Sequence, residues 1–132
     1  MKKIYLLFSL LIISLNALKS ECVLVPLSLE NRVNPSTLIV EAKVGTQVSY
    51  WNADHSMIFT SHELLLSSVF KGSEYLKGNK INIITLGGQV ADKAIKVEPE
   101  LELESGEIGI FLLIQKDGEW VAESGPQGFI KI

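Results

Sequence analysis

With 132 residues, 47% of them hydrophobic, the chain has room for one compact domain and no more. A formal charge of −3 argues against a surface built to grip a phosphate backbone, so nucleic acid is not an expected partner. The single cysteine excludes an internal disulfide, and the fold must be stable without a covalent staple.

The first element is a leader. Met1-Lys2-Lys3 is a basic start, residues 4–15 are apolar, and Asn16-Ala17-Leu18-Lys19-Ser20 is a small and polar exit. This is the layout of a secretory signal peptide, and the apolar run falls short of the ~20 residues that span a bilayer. Cleavage is expected after Ala17 or Ser20, with residues 1–20 as the signal peptide and 21–132 as a single β-barrel domain. Loss of Lys2, Lys3 and Lys19 takes the charge from −3 to about −6 and leaves the mature surface strongly acidic. The protein is therefore expected outside the cytoplasm, extracellular or in the periplasm and envelope. Membrane contact is expected only through an uncleaved leader or through lipid on Cys22. Lipidation fits less well, because acidic Glu21 and basic Lys19 stand where a lipobox has small and apolar residues.

After the leader, residues 23–29 hold Pro26 and read as an extended lead-in. Residues 28–33 predict a short helical turn with Ser28 as N-cap, ended by Asn34-Pro35 because a residue before proline avoids helical backbone. A long strand follows. Leu38, Val40, Ala42, Val44, Thr46, Val48 and Tyr50 share one parity and predict a single dry face, with Gly45 as a candidate bulge. The polar loop Trp51-Asn52-Ala53-Asp54-His55-Ser56 joins it to a second strand, whose inward row is Ile58, Thr60, His62, Leu64 and Leu66. A phase break at Val69 and Phe70 predicts a bulge near Ser67-Ser68.

Residues 72–80 read as a polar loop, 81–86 as a third strand, and Gly87-Gly88 as its stop. Residues 89–100 fit a short strand or an irregular crossover, and Pro99 forbids a central strand. Leu101 and Leu103 alternate with Glu100, Glu102 and Glu104, which predicts an edge-like strand with a solvated acidic face. Residues 108–114 are nearly continuously apolar and predict a strand buried on both faces. Asp117-Gly118 is a hairpin signal leading to a return strand at 120–122. A loop at 124–128 precedes a closing strand at 129–132. The expected fold is mainly β: a small antiparallel OB-like barrel of five to six strands, with one short helix before the first long strand.

Five segments in this order support a family resemblance: LSLENRVNPSTLIVEAKV, SYWNADHSMIFTSHELLLSSVFKG, INIITLGG, LELESGEIGIFLLI and SGPQGFIKI. Together they resemble an OB-like module found near the N-terminus of large secreted bacterial proteins, many with type IX sorting tails or matrixin-like regions. More loosely, they resemble the netrin-like barrel of tissue metalloprotease inhibitors. The most specific parts are the Trp51–His55 loop, Val69-Phe70-Lys71-Gly72, Gly87-Gly88 and Gly125-Pro126-Gln127-Gly128. The inhibitors place an N-terminal Cys-x-Cys on a catalytic zinc, and only Cys22 is present here. No sorting tail follows the module, which leaves a stand-alone form and the front of a longer product as the two readings.

No catalytic residue, cofactor or metal site is expected. Gly87-Gly88 lacks the Lys-Ser/Thr of a phosphate loop, and His55 and His62 lack the further ligands of a zinc site. Ser56 and Ser61 lie near His55 in sequence, but no Gly-x-Ser-x-Gly elbow is present. His62 shares its parity with apolar residues and is expected to be half-buried with a hydrogen-bond partner. Trp51, Asp54, His55 and Gln127 are the candidate binding residues, because loops on rigid β scaffolds carry function. The expected role is a non-catalytic interaction or accessory module for a protein or surface partner. The alternatives are an inhibitor-like or pro-domain-like module acting through Cys22, and a small hydrolase using His55 or His62 beside an acid.

Overall fold

The computed structural model describes residues 25–132. The expected leader, its expected cleavage sites and Cys22 lie outside the described residues. Among the described residues no helix is long and apolar enough to cross a membrane.

Helix α1 (Leu29–Val33) forms as expected: the Ser28 hydroxyl accepts from the Asn31 amide, and the chain leaves the helix at Asn34. Strands β1 (Leu38–Trp51) and β2 (Ile58–Lys71) then make one long antiparallel hairpin. β3 (Lys80–Leu86) pairs with β2, and β6 (Ile108–Lys116) pairs with β1. β7 (Glu119–Ala122) returns along β6 across the Asp117-Gly118 turn, whose positive φ angles of 52° and 80° fit the Asp-Gly signal. β8 (Phe129–Lys131) pairs with β6 as well.

The order β1-β2-β3-β7-β6, with β6 returning to β1, closes five strands into a ring. One pair departs from the antiparallel expectation: β3 and β7 run parallel and meet only at Ile83 and Trp120. Parallel neighbours need a long connection. Here it holds a small hairpin, β4 (Gly88–Val90) with β5 (Lys93–Ile95), and the irregular segment that follows. The ring encloses Leu38, Val40, Ala42, Val44, Leu64, Ile83, Leu101, Leu103, Phe111 and Leu113. β6 is buried on both faces only at Phe111, Leu112 and Leu113, with Leu112 and its register partner Ile39 packed away from that cluster; Ile108, expected inside, is exposed at the strand's start.

Register shifts decide which side chains enter the ring. Val44 pairs with Leu64 and Gln47 with His62, so Gly45 and Thr46 together oppose Glu63. This is the bulge predicted at Gly45. One extra residue sends every later side chain to the other face. Val48 and Tyr50, expected on the dry face, therefore stand outside at 61% and 40% exposure, and Thr46 is exposed too. The predicted bulge near Ser67 is also present: Glu41 pairs with Ser68 and Ala42 with Leu66, leaving Ser67 outside the ladder. A second shift leaves Phe70 outside the ladder, and the inward row has already ended at Leu66.

Residues 101–104 differ from expectation as well. Leu101 and Leu103 enter the core and Glu102 and Glu104 face water, so the alternation holds, but the segment joins no ladder. Glu100 is not on a solvated face. Its two carboxylate oxygens accept from the amides of Leu86 (2.9 Å) and Leu101 (2.8 Å). Because β3 and β7 part beyond Ile83, the Leu86 amide has no strand neighbour, and the carboxylate takes that place.

Leu64 is fully buried inside the ring, whereas Val48 is exposed outside it. Leu64→Ala is expected to lower stability by about 2–5 kcal/mol in urea denaturation. Val48→Ala is expected to change it by less than about 0.5 kcal/mol, the range for surface substitutions.

Candidate functional site

The four sequence-selected residues fall into two separate places. Trp51, Asp54 and His55 lie at the β1–β2 loop, and Gln127 lies in a one-turn 3-10 helix (Gly125–Gly128) near the start of β1. Thirteen residue steps of strand separate Leu38 from Trp51, on the order of 40 Å of extended chain.

The loop satisfies its own polar groups. Asn52 Oδ1 accepts from the amides of Ser56 (2.9 Å) and Met57 (3.0 Å). The Ser56 hydroxyl donates to Asp54 Oδ1 at 2.6 Å, and the Ser56 amide donates to the same oxygen. These hydrogen bonds from Ser56 hold the Asp54 carboxyl below its ordinary value. His55, at φ 57°, stacks on Trp51 with ring centroids 5.5 Å apart. Trp51 is therefore covered from one side, and Ser56 is bonded to Asp54 rather than to His55.

Gln127 acts as a clamp. Its side-chain amide accepts from Leu27 N (2.6 Å) and donates to Val25 O (2.7 Å), while Arg32 Nη1 donates to its backbone carbonyl (3.0 Å). The residue ties the lead-in segment to the ring, and both ends of its amide are in use.

His62 is buried at 4% exposure, with Nε2 2.8 Å from Thr85 Oγ1 and Nδ1 without a partner among the described residues. Four strand steps, about 13 Å, separate it from the loop end at Ile58, so His55 and His62 do not share a site. No group of three His, Cys, Asp or Glu side chains placed to hold a metal occurs among the described residues. His62 lines a polar hollow of about 320 Å³ with Gln47, Ser49, Thr60 and Thr85, under the β4–β5 hairpin. A directed chain runs along one wall: Ser49 donates to Thr60, and Thr60 donates to the Gly87 carbonyl at 2.7 Å. Gly88, at φ 139°, rests on these hydroxyls, where any side chain would collide with them.

The larger opening lies on the outside of the ring and was not legible as a site in the sequence. It is a cleft of about 570 Å³, within the usual range for small-ligand sites. Tyr50, Phe59, Ile84, Leu86 and Val121 form its apolar floor across β1, β2, β3 and β7. Register explains the row: Tyr50 pairs with Phe59, and Phe59 with Leu86. Tyr50 and Phe59 stack with centroids 6.1 Å apart and planes 25° apart. Asn52 from the β1–β2 loop and Lys116, Asp117 and Glu119 from the β6–β7 turn form the rim. Partial burial, and to a lesser degree the Glu119 carboxylate, push the Tyr50 phenol above its ordinary value. The available signal in the sequence was Phe59, an aromatic residue on the wet parity of β2, followed by charged residues at an Asp-Gly turn.

The cleft combines an aromatic platform, aliphatic side chains and a rim with two carboxylates, Asp117 and Glu119, that bond to no other described residue. Among the described residues it offers no nucleophile paired with a base. Comparison with protein-family models, with curated proteins and with solved structures gives no match.

Burial alone lowers the His62 pKa, so the folded protein resists its protonation. Stability from this group is full above the ordinary value of 6.5 and is lost as pH falls from there toward the lowered folded value. His62→Gln can keep a hydrogen bond to Thr85 without titrating. Its melting temperature is expected to be flatter than wild type between pH 7 and the onset of carboxylate titration, measured by circular dichroism melts across pH.

Proposed function

We propose that this chain is an exported, non-catalytic interaction module whose partner sits in the outer cleft between β1, β2, β3 and β7. The cleft itself is the observation that carries the reading. Apolar side chains from four strands share one open face, and Leu86 and Tyr50 each remain 40% exposed there. A clustered apolar face with a polar rim is costly to leave in water and marks a contact surface.

The fold we infer is an OB-like barrel related to the front module of secreted bacterial proteins. The five-strand ring order supports it, as do the long crossover between β3 and β6 and the motif order along the chain. In OB barrels, ligands use the face of the second and third strands and two adjoining loops. The cleft draws on the same parts: β2, β3, the β1–β2 loop and the β6–β7 turn. Export is supported by the basic start, apolar run and polar exit over residues 1–20. The inhibitor-like and hydrolase readings have no comparable observation behind them.

Two measurements test this. Mass spectrometry of the protein from the envelope and medium should give a chain lacking residues 1–17 or 1–20; an intact chain confined to the cytosol would contradict export. Screening small aromatic and aliphatic fragments against the ¹⁵N-labelled chain should shift the amides of Tyr50, Phe59, Leu86 and Val121. The role assigned to the cleft fails if bound fragments shift only the 54–56 loop or Gln127, or if no fragment binds.

A further inference from the structure

We propose that the cleft takes an extended peptide segment of a protein partner, in which a large apolar side chain neighbours a lysine or arginine. The inference rests on the binding reading above and adds the chemical class of the occupant. It follows from the floor, the rim and the net charge of the surroundings.

The floor is mixed. Tyr50 and Phe59 make a stacked aromatic shelf, and Ile84, Leu86 and Val121 continue it with aliphatic side chains. An aromatic shelf alone would suit a sugar ring or a base. Three aliphatic residues beside it suit a Leu, Ile, Met or Phe side chain, which gains by the area it removes from water. Asn52, Thr85, Lys116, Asp117 and Glu119 also line the cleft and could bond to hydroxyls, so a sugar is the competing occupant that the test below separates from a peptide.

The rim sets the charge. Asp117 and Glu119 face the cleft, with Lys116 as the one cation among its described lining residues. Glu100 also lines it, but both of its oxygens are held by the Leu86 and Leu101 amides. The remaining balance is negative, on a chain that is itself acidic. Phosphate-bearing ligands are repelled. A second copy of this chain would bring its own acidic rim against this one. A basic side chain is complementary, since it reaches Glu119 while its stem or its cation lies over the Tyr50 ring, a favourable cation–π arrangement. Glu119 is close enough for its charge to act on the Tyr50 phenol, so one cation can engage both.

The Gly45 bulge makes this face possible. Without the extra residue, Tyr50 would point into the ring, and the shelf would lose one of its two aromatic side chains.

The test is selection of phage-displayed random heptapeptides on the immobilised full chain, followed by fluorescence anisotropy with the enriched peptides. The same chain is applied in parallel to an array of neutral and acidic oligosaccharides. We expect enrichment of peptides that pair a large apolar residue with Lys or Arg. Phe59→Ser should raise their Kd about tenfold, the scale of a lost aromatic anchor. Glu119→Lys should weaken them about fivefold, with the difference shrinking at high salt. Glu119 is exposed and Phe59 half-buried, so melting temperatures are measured for both variants, and Glu119→Lys carries the test if Phe59→Ser is destabilised.

An acidic or uncharged consensus overturns the proposal, as does a Kd unmoved by either variant. If peptides fail while an oligosaccharide binds and is lost in Phe59→Ser, the cleft is a binding site and the peptide class is wrong. If nothing binds, or all binding survives Phe59→Ser, the binding reading falls together with the class.

Discussion

Two residues of β1, Gly45 and Thr46, stand opposite one residue of β2, Glu63. That mismatch divides the long hairpin into two parts with opposite facing. Before it, Leu38, Val40, Ala42 and Val44 fill the ring. After it, residues of the same parity face water, and Ser49 turns inward to meet Thr60. A strand of 14 residues with one unbroken apolar row would have to bury all of it. The bulge lets the first half build a core and the second half build a surface. Gly45 suits the position, although crowding there would fall on the movable Glu63 carboxylate rather than on backbone.

The inward-turned half gives the ring a different interior at that end. Ser49, Thr60, His62 and Thr85 replace the aliphatic packing around Leu64 and Ile83, with Gln47 at the exposed mouth of the hollow. The hydroxyls bond to one another and to the Gly87 carbonyl, and Gln47 Nε2 donates to the Leu103 carbonyl at 2.7 Å. These bonds hold the crossover segment over the ring, including the Leu101 and Leu103 side chains that complete the core. Glu100 works alongside them by satisfying the Leu86 amide where β3 loses its neighbour. Burying polar groups in pairs avoids the cost of leaving them unmatched. Nδ1 of His62 is the exception, and it makes this end of the ring sensitive to acid.

Much of the framework is legible in the sequence because it rests on local rules. Ser28, Pro35, Asp117-Gly118 and the apolar run 108–114 each act within a few residues, and each element forms where it is expected. Both bulges are visible too, one as a glycine and one as a break in parity. The consequence of the first does not follow from parity, because period-two reasoning treats a strand as uniform through the extra residue. The cleft escapes the same reasoning, since uniform parity puts Tyr50 inside. Glu100 reads as solvated because its partners, the Leu86 and Leu101 amides, become available only once β3 and β7 diverge. The loop residues Trp51, Asp54 and His55 draw attention as polar and aromatic groups at a tip, yet they are consumed in holding the turn.

Thiol labelling reads the reversal of facing at Gly45 directly. Val44→Cys and Val48→Cys, each in a Cys22→Ser background, introduce a thiol at positions of the same parity four residues apart. A uniform strand gives both thiols the same environment. With the bulge in place, the thiol at position 48 should react with maleimide at nearly the rate of an unfolded control, and the thiol at position 44 should be protected until the protein is denatured. Equal protection at both positions, or faster labelling at 44, would contradict the fold's central feature and remove the cleft that depends on it.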